Sequence, residues 1–209
     1  MNEKLNEKSC AEFSKLLSSK APVPGGGGAA ALVGALGISL GEMAANLTIG
    51  KKKYAEFETE LNEAVSECDA LRLELLEYIE LDAAAFEPLS KAYSLPKDAP
   101  DHDQIMREAT IRAADSPYQM VKLCCRCVSM LERLEAITST LLISDVACGA
   151  ALSGAALEAA ALNVFVNTRL LRGDPEADAM ESDTKARLEQ YRPLAEQIAR
   201  RIESKLLEG

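Results

Sequence analysis

The chain has 209 residues, of which 48% are apolar, and a formal net charge of -10, so one large domain or two small ones can bury a core. Aromatic residues make up only 4% and tryptophan is absent, which leaves Ala, Leu, Ile and Val to build that core and favours closely packed helices. This acidic balance, without a continuous basic stripe, excludes a general nucleic-acid-binding surface.

The first eight residues, "MNEKLNEK", lack the apolar core of a secretory signal, so we expect a cytoplasmic protein. Helical periodicity then runs through nearly the whole chain, and no segment shows sustained strand alternation. Breaks fall where Gly, Pro and polar residues cluster, and none has the composition of an interdomain linker. We therefore predict an all-α bundle of about six helices in a single domain, 1–209. The predicted helices cover 9–18, the end of the glycine run to about 49, 55–93, 103–136, 141–171 and 175–207, with bends near Pro88 and Pro117.

Four consecutive glycines precede the second predicted helix, in the segment "APVPGGGGAAALVGALGISLGEMAANLTIGKKKY" (21–54). Glycine leaves the first helical amides unobstructed, and such amides form an anion site. The spacing matches neither the nucleotide P-loop nor the dinucleotide fingerprint. A hinge or a close-packing loop is the alternative interpretation of the same glycines.

Two predicted helices are apolar on almost all sides, since 21–50 contains only Glu42 as a charge and 136–168 only Asp145 and Glu158. Each is long enough to span a bilayer. Ala and Gly are poor lipid-facing residues, however, and each run carries an acid. We therefore predict no membrane association but two central bundle helices that form a homodimer interface, with higher oligomers left open.

The spacing of small residues on these helices predicts close contacts between backbones. Ala30, Gly34, Gly37 and Gly41 recur at intervals of four, three and four, so one face of the helix has almost no side chains. The fifth helix has a similar stripe, polar at both ends. Its ends, Asp145 and Asn163, are about 27 Å apart along a helix axis. They can meet in one site only through a two-fold symmetry mate.

Cysteines in "CCRC", residues 124–127, raise the possibility of a metal site. Cys124 and Cys127 can share a helical face, but no second ligand pair completes a tetrahedral site, and the only histidine, His102, lies in a polar segment. We predict no metal, with reduced, buried thiols that fill small gaps in the core.

The segment "PVPGGGGAAALVGALGISLGEMAANLTIGKKKY" closely resembles the opening of the formiminotransferase-cyclodeaminase C-terminal family, which includes stand-alone methenyltetrahydrofolate cyclohydrolases. Shorter matches follow in order and extend the resemblance over about residues 10–172. These matches are "LDAAAF" (81–86), "SLPK" (94–97), "AADSP" (113–117), "SD" (144–145) and "LNVFVN" (162–167).

This resemblance implies an all-helical homodimer with a folate groove at or near the subunit interface. Cyclodeaminases close formiminotetrahydrofolate to methenyltetrahydrofolate with release of ammonia, and cyclohydrolases interconvert methenyl- and formyltetrahydrofolate with water. The tetrahydrofolate derivative is then a substrate, and we expect no permanently bound cofactor. The motifs do not identify the leaving group, so both activities stay open, with cyclodeaminase preferred as the family label.

Departures from the family pattern leave a second function open. This chain has Gly28 where members commonly have Ser, and Thr138 and Ser139 where many have Gly-Asn. A catalytically silent dimer that binds folate or a partner protein is therefore the alternative.

Either reaction needs a group that transfers protons, and His102 is a poor candidate because it lies in an apparent loop. The proton carrier is then a carboxylate with a raised pKa, or a lysine or tyrosine with a lowered pKa. Three acids have apolar helical surroundings, namely Glu42, Asp82 and Asp145. We predict Asp82 and Asp145 as the acid/base pair, although Asp145 after Ser144 can equally cap a helix.

Substrate contacts are predicted from the same segments. Glycine-loop amides and the lysine cluster would receive folate carboxylates, Tyr54 would stack on a ring, and amide side chains would bond the pterin edge. The alternatives are a solvated cationic helix end for the lysines, packing of Tyr54 against the next helix, and hydrogen bonds between helices for the amides. The predicted binding residues are Gly25, Gly26, Gly27, Glu42, Asn46, Lys51, Lys52, Tyr54, Ser144 and Asn167.

Overall fold

The computed structural model describes residues 4–208, and within that range it contains helices and no strands. Six α-helices follow in order, as the periodicity predicted. They are α1 (Cys10–Leu17), α2 (Gly26–Asn46), α3 (Glu58–Ala92), α4 (His102–Ile137), α5 (Ile143–Thr168) and α6 (Pro175–Glu208). Short 3-10 helices cover Leu5–Glu7, Lys52–Phe57, Thr140–Leu142 and Arg169–Leu171. Residues 1–3 and 209 of the predicted domain lie outside the described range.

Helix ends follow local chemistry. Ser9 and Glu12 form a capping box that starts α1. Helix α2 ends at Asn46, three residues before the predicted end. Gly50 then turns the chain with a φ of 79°. Pro88 and Pro117 lie inside α3 and α4, and neither helix is interrupted there.

The two apolar helices, α2 and α5, pack against each other at the centre of the bundle, with α3, α4 and α6 around them. Their directions are antiparallel, since Gly26 faces Asn163 near one end and Gly37 faces Gly149 and Ser153 further along. By length and composition alone, Gly26–Asn46 and Thr140–Leu171 are also able to cross a membrane. Their position explains the composition, because a central helix meets neighbours on most of its faces.

Small residues are required where α2 and α5 cross. A Cβ on Gly37 would lie 2.6 Å from the Ser153 hydroxyl and 3.0 Å from the Gly149 carbonyl, and a Cβ on Gly149 would lie 2.7 Å from the Gly37 carbonyl. Backbone carbonyls cannot rotate away as side-chain ends do. The predicted stripe of small residues therefore sets the distance between the two helices.

We expect Gly37→Ala to lower the free energy of unfolding by about 1–3 kcal/mol, the usual cost of overpacking. In an exposed helix the same change would add up to about 1 kcal/mol of stability. Gly34→Ala is the matched control, because the nearest atom to its Cβ would be Leu75 Cδ1 at 3.3 Å, the end of a flexible side chain. Urea unfolding of both variants checks this, and equal stability of the two would contradict the crossing argument.

The cysteines of the "CCRC" segment are buried, as predicted for core thiols. Burial raises the pKa of Cys124 to about 12 and that of Cys125 to about 11, so both are protonated at neutral pH. Within residues 4–208, no cluster of three or more His, Cys, Asp or Glu side chains is placed to hold a metal ion.

Candidate active site

A cleft of about 220 Å³ opens at the N-terminus of α2. We call it the glycine-loop cleft. Its walls are Pro22, Val23, Gly25, Gly26 and Gly27, Asp82 and Phe86 of α3, Ala113 and Pro117 of α4, and Asn163, Val166 and Asn167 of α5. Four segments that are far apart in the sequence therefore meet at this point.

Asp82 is the only charged side chain among these lining residues. Burial raises the pKa of its carboxyl group from 3.8 to about 6, because the apolar surroundings disfavour the charged form. Two neighbours partly oppose this effect, namely the backbone amide of Gly28 and the hydroxyl of Ser116. A carboxyl group with a pKa close to neutral can both accept and release a proton under ordinary conditions.

Glycines at the start of α2 allow the Asp82 carboxylate to approach the helix end. A Cβ on Gly27 would lie 2.5 Å from Asp82 Oδ2 and closer still to Oδ1, so no larger residue fits without displacing the carboxylate. A Cβ on Gly26 would lie 2.9 Å from the amide nitrogen of Asn163. Gly26 and Gly27 therefore allow α2 to pack closely against Asn163 and Asp82.

The same contact changes the interpretation of the predicted anion site. The free amides of a helix N-terminus attract negative charge, and here the charge beside them is the protein's own Asp82 carboxylate. A substrate carboxylate at the same amides would face repulsion from Asp82. Gly25, Gly26 and Gly27 thus line the glycine-loop cleft, while the Gly28 amide stabilises the Asp82 carboxylate.

Asn167, one of the predicted substrate-binding residues, also lines the cleft, with Asn163 one turn before it on α5. The side-chain nitrogen of Asn167 donates to the carbonyls of Ala113 and Asn163, both at 3.0 Å. The side-chain nitrogen of Asn163 donates to the Ala159 carbonyl at 2.8 Å. These bonds fix the orientation of both amides, because a carbonyl only accepts.

The remaining predicted residues lie away from this cleft, most of them at the opposite end of α2. We call the group Lys51, Lys52, Tyr54, Ser144 and Asp145 the lysine end. A hydrogen bond connects the segment after α2 to the segment before α5: the Tyr54 hydroxyl accepts from the Thr140 amide at 3.0 Å. This bond lowers the pKa of Tyr54.

Glu42 and Asn46 lie on the second half of α2. Glu42 forms an ion pair with Arg72 of α3 at 3.4 Å, and Asn46 is exposed at the last residue of the helix. Glu42 therefore has a structural partner. Asn46 is closer along the chain to the lysine end than to the glycine-loop cleft.

Within one chain, the structure brings Asp82, the glycines and Asn167 together, but it does not bring Asp82 to Asp145. From Gly26 to Asn46 the axis of α2 is about 30 Å long, and Asp145 lies at the start of the antiparallel α5. The glycine loop and the lysines therefore do not form one acceptor in a single chain. The predicted acid pair and the predicted tail acceptor both require a second chain.

Two residues of the cleft region were not among the predicted site residues. Asn163 was recognised only as the polar end of a small-residue stripe, and Ser116 only as part of a short motif. Ser116 is 5% exposed and its hydroxyl makes no hydrogen bond of normal geometry among residues 4–208, yet it stabilises the charged Asp82. The sequence does not show which buried polar residues lie next to Asp82, because Ser116 is on a different helix.

The departures from the family pattern have different surroundings. A Cβ on Gly28 would lie 3.2 Å from Pro24 Cβ, so a small shift would admit Ser there. Thr138 and Ser139 are buried beside the lysine end, where the Thr138 hydroxyl donates to the Leu134 carbonyl and the Ser139 amide donates to Thr48 Oγ1. They do not line the glycine-loop cleft.

An all-helical bundle with a partly buried carboxyl group at a glycine-lined helix terminus is the class of protein that this fold and cleft define. The family model described as formiminotransferase-cyclodeaminase matches residues 9–186. The chain belongs to this family.

Individual relatives agree with the family match. A methenyltetrahydrofolate cyclohydrolase of Methylorubrum extorquens is 36% identical over 91% of this chain and 93% of its own length. A formimidoyltransferase-cyclodeaminase of Dictyostelium discoideum is 30% identical over 83% of this chain, which corresponds to 32% of that longer protein. The crystal structure of a formiminotetrahydrofolate cyclodeaminase from Thermotoga maritima superposes with a TM-score of 0.82, 26% identity and 96% coverage of both chains.

Proposed function

We propose that this protein is an enzyme of tetrahydrofolate one-carbon metabolism that acts on the bridge between two nitrogens of the folate, as a cyclodeaminase or a cyclohydrolase. The observation that carries this proposal is the Asp82 carboxyl group, whose pKa of about 6 and position in the glycine-loop cleft suit a proton carrier. Family membership supplies the substrate class.

Asp82 can serve either reaction with the same proton cycle. In the cyclohydrolase direction, water attacks the methenyl carbon and passes a proton to Asp82, which returns it to the nitrogen when the carbon–nitrogen bond breaks, and the remaining hydroxyl proton is released to solvent as the formyl group forms. In the cyclodeaminase direction, the ring-closing nitrogen attacks the carbon of the protonated formimino group. Asp82 carries the proton of that nitrogen to the amino group, which leaves as ammonia and gives the methenyl cation. A carboxyl group with a pKa near 6 is mostly ionised at neutral pH, so it is ready to accept the first proton.

The cleft is too small to hold a whole folate. Sites for molecules of this size occupy about 300–1,000 Å³. A second cavity of about 520 Å³ adjoins the cleft and shares Pro22, Val23 and Phe86 with it. We place the one-carbon bridge beside Asp82 and propose that the rest of the molecule extends beyond the cleft.

A homodimer explains the division of the predicted site into two ends. The faces of α2 and α5 that are not covered by α3, α4 and α6 carry exposed apolar side chains, among them Leu36 (51% exposed), Met43 (39%) and Leu162 (66%). Covering these side chains in a two-fold dimer would remove them from water. The same symmetry can bring the lysine end of one protomer towards the glycine-loop cleft of the other. Asp145 would then come from the second chain.

We expect Lys51→Ala combined with Lys52→Ala to weaken binding of a polyglutamylated folate more than binding of the monoglutamate. The reason is that the extra glutamate carboxylates lose their cationic partners. Titration of both folates into the double variant and the unchanged protein measures the two ratios. Lys15→Ala combined with Lys20→Ala, two exposed lysines before the glycine run, is the charge-matched control. Equal weakening of both folates would remove these lysines from tail recognition.

Assays on the purified protein test the function directly. The absorbance of methenyltetrahydrofolate near neutral pH is the signal in two assays, each run against a buffer blank. With methenyltetrahydrofolate as the substrate, cyclohydrolase activity makes the signal fall. With formiminotetrahydrofolate as the substrate, cyclodeaminase activity makes it rise. Faster loss of methenyltetrahydrofolate than in the blank identifies a cyclohydrolase, and faster formation identifies a cyclodeaminase. No acceleration of either would favour the catalytically silent dimer. The mass in solution, compared with 22.5 kDa for one chain, tests the dimer independently.

A further inference from the structure

The hydrogen-bonding side chains of the glycine-loop cleft all present acceptors. Asp82, Asn163 and Asn167 are the polar side chains among its lining residues. The amide nitrogens of both asparagines are already bonded to helix carbonyls, so it is their oxygens that remain for a ligand. Neither oxygen accepts a hydrogen bond from residues 4–208, and neither is among the buried atoms that lack a partner, so both are accessible to solvent.

The orientation of these amides does not depend on a choice between nitrogen and oxygen. If the Asn163 amide were reversed, its oxygen would face the Ala159 carbonyl, and two acceptors would repel each other. A reversed Asn167 would meet the same repulsion from two carbonyls, one on α4 and one on α5. The acceptor character of the cleft is therefore built into the helix backbone around it.

One negative charge and two amide oxygens define the ligand that fits. Asp82 would repel an anion, whereas a group with positive charge and several N–H donors satisfies all three side chains at once. We propose that Asn163 and Asn167 are specificity-determining residues of the glycine-loop cleft, because their oxygens accept hydrogen bonds from the N–H groups of a protonated amidine whose charge Asp82 balances. The formimino group, when protonated, is such an amidinium.

This inference rests on the proposed function for the identity of the substrate, but its test measures binding and needs no turnover. Formamidinium chloride is titrated into the full chain at constant ionic strength, with sodium chloride as the salt control and formamide as the neutral analogue. Binding is followed by calorimetry and by the amide signals of the ¹⁵N-labelled protein. For three non-hydrogen atoms, we expect a dissociation constant for formamidinium in the millimolar range, and binding of formamide at least about ten-fold weaker.

Variants separate the acceptor role from a packing role. Asn167→Leu and Asn163→Leu remove the oxygen and should each weaken formamidinium binding about five- to ten-fold. Asn62→Leu is the matched control, since the Asn62 amide makes the same bond to the carbonyl four residues earlier, at 2.7 Å, on an exposed face of α3. If a Leu variant does not fold, the corresponding Ala variant, which removes the same oxygen without adding bulk, decides.

Equal affinity for formamide and formamidinium would overturn the inference, as would Leu variants that bind like the unchanged protein. Formamidinium binding with the expected variant pattern, in a protein that turns over neither folate, would support the inference while the proposed function fails. Turnover of either folate by a protein that does not prefer formamidinium to formamide would support the proposed function and overturn the inference.

Discussion

Asp82→Asn is expected to lower turnover by about 10²–10⁴-fold, the usual contribution of a positioned acid or base, while it stabilises the folded protein at neutral pH. Asn has nearly the same size and can still accept a hydrogen bond, but it does not transfer protons. It also removes a charge that is costly to bury. Activity and stability should therefore change in opposite directions, as expected where function opposes folding.

The stability effect depends on pH in a direction that follows from the raised pKa. Below about pH 4 the carboxyl group is protonated in both folded and unfolded chains, so the variant gains nothing. Between about pH 4 and 6 the unfolded chain ionises while folded Asp82 still holds its proton, so stability falls as pH rises. Above about pH 6 the full cost is present, and the difference between 3.8 and about 6 corresponds to about 3 kcal/mol.

Thermal unfolding of both proteins from pH 4 to 8, with turnover measured on the same samples, checks this expectation. The melting temperature of the variant should exceed that of the unchanged protein above pH 6, and the difference should vanish near pH 4. Asp98→Asn, in the exposed loop between α3 and α4, removes the same formal charge without burial and is the control. Retained turnover in Asp82→Asn would exclude Asp82 as the proton carrier.

Gly27→Ala is expected to reduce turnover by about 100-fold and to lower the free energy of unfolding by about 1–3 kcal/mol. The added methyl group would lie 2.5 Å from Asp82 Oδ2, so the carboxylate must leave its place beside the Gly28 amide. Misplacement of a catalytic group by about 1 Å is enough for a loss of this size. Steady-state kinetics and urea unfolding measure the two effects.

The neighbouring glycine supplies the control. A Cβ on Gly25 would meet nothing within 4 Å, and its φ of -116° suits any residue, so Gly25→Ala should be close to neutral. The contact itself is tested in an Asp82→Ala background, where the destabilisation by Gly27→Ala should shrink because the clashing oxygens are absent. The same loss of stability in both backgrounds would show that the methyl group conflicts with something other than Asp82.

Much of the fold could be predicted because the helical signal is local. Periodicity, the small-residue stripe on 30–41 and the breaks at Gly and Pro each depend on neighbours within a few residues, and they placed six helices nearly as observed. The absence of charge from two helices indicated that they occupy the centre. Helix ends were less accurate, since the 3-10 turn at Lys52–Phe57 replaces the first residues of the predicted third helix.

The candidate site was only partly predictable, because its residues come from four separate helices and loops. An acid in apolar surroundings is visible in the sequence, and Asp82 was found that way. The same rule also selected Glu42, which the fold pairs with Arg72, and Asp145, which lies at the far end of α5. No local pattern separates an acid that lines a cleft from one that forms an ion pair.

The sequence by itself determined the helical class, the central position of α2 and α5, and the glycines that let these helices and the Asp82 carboxylate approach closely. Only the tertiary structure decided which polar groups share a cleft, which amide atoms face a ligand, and that the glycine loop and the lysines lie at opposite ends of α2. The physical reason is that helix formation depends on residues three or four apart, whereas a site depends on the antiparallel packing of α2 and α5. That packing brings Gly26 next to Asn163, which is 137 residues away in the chain.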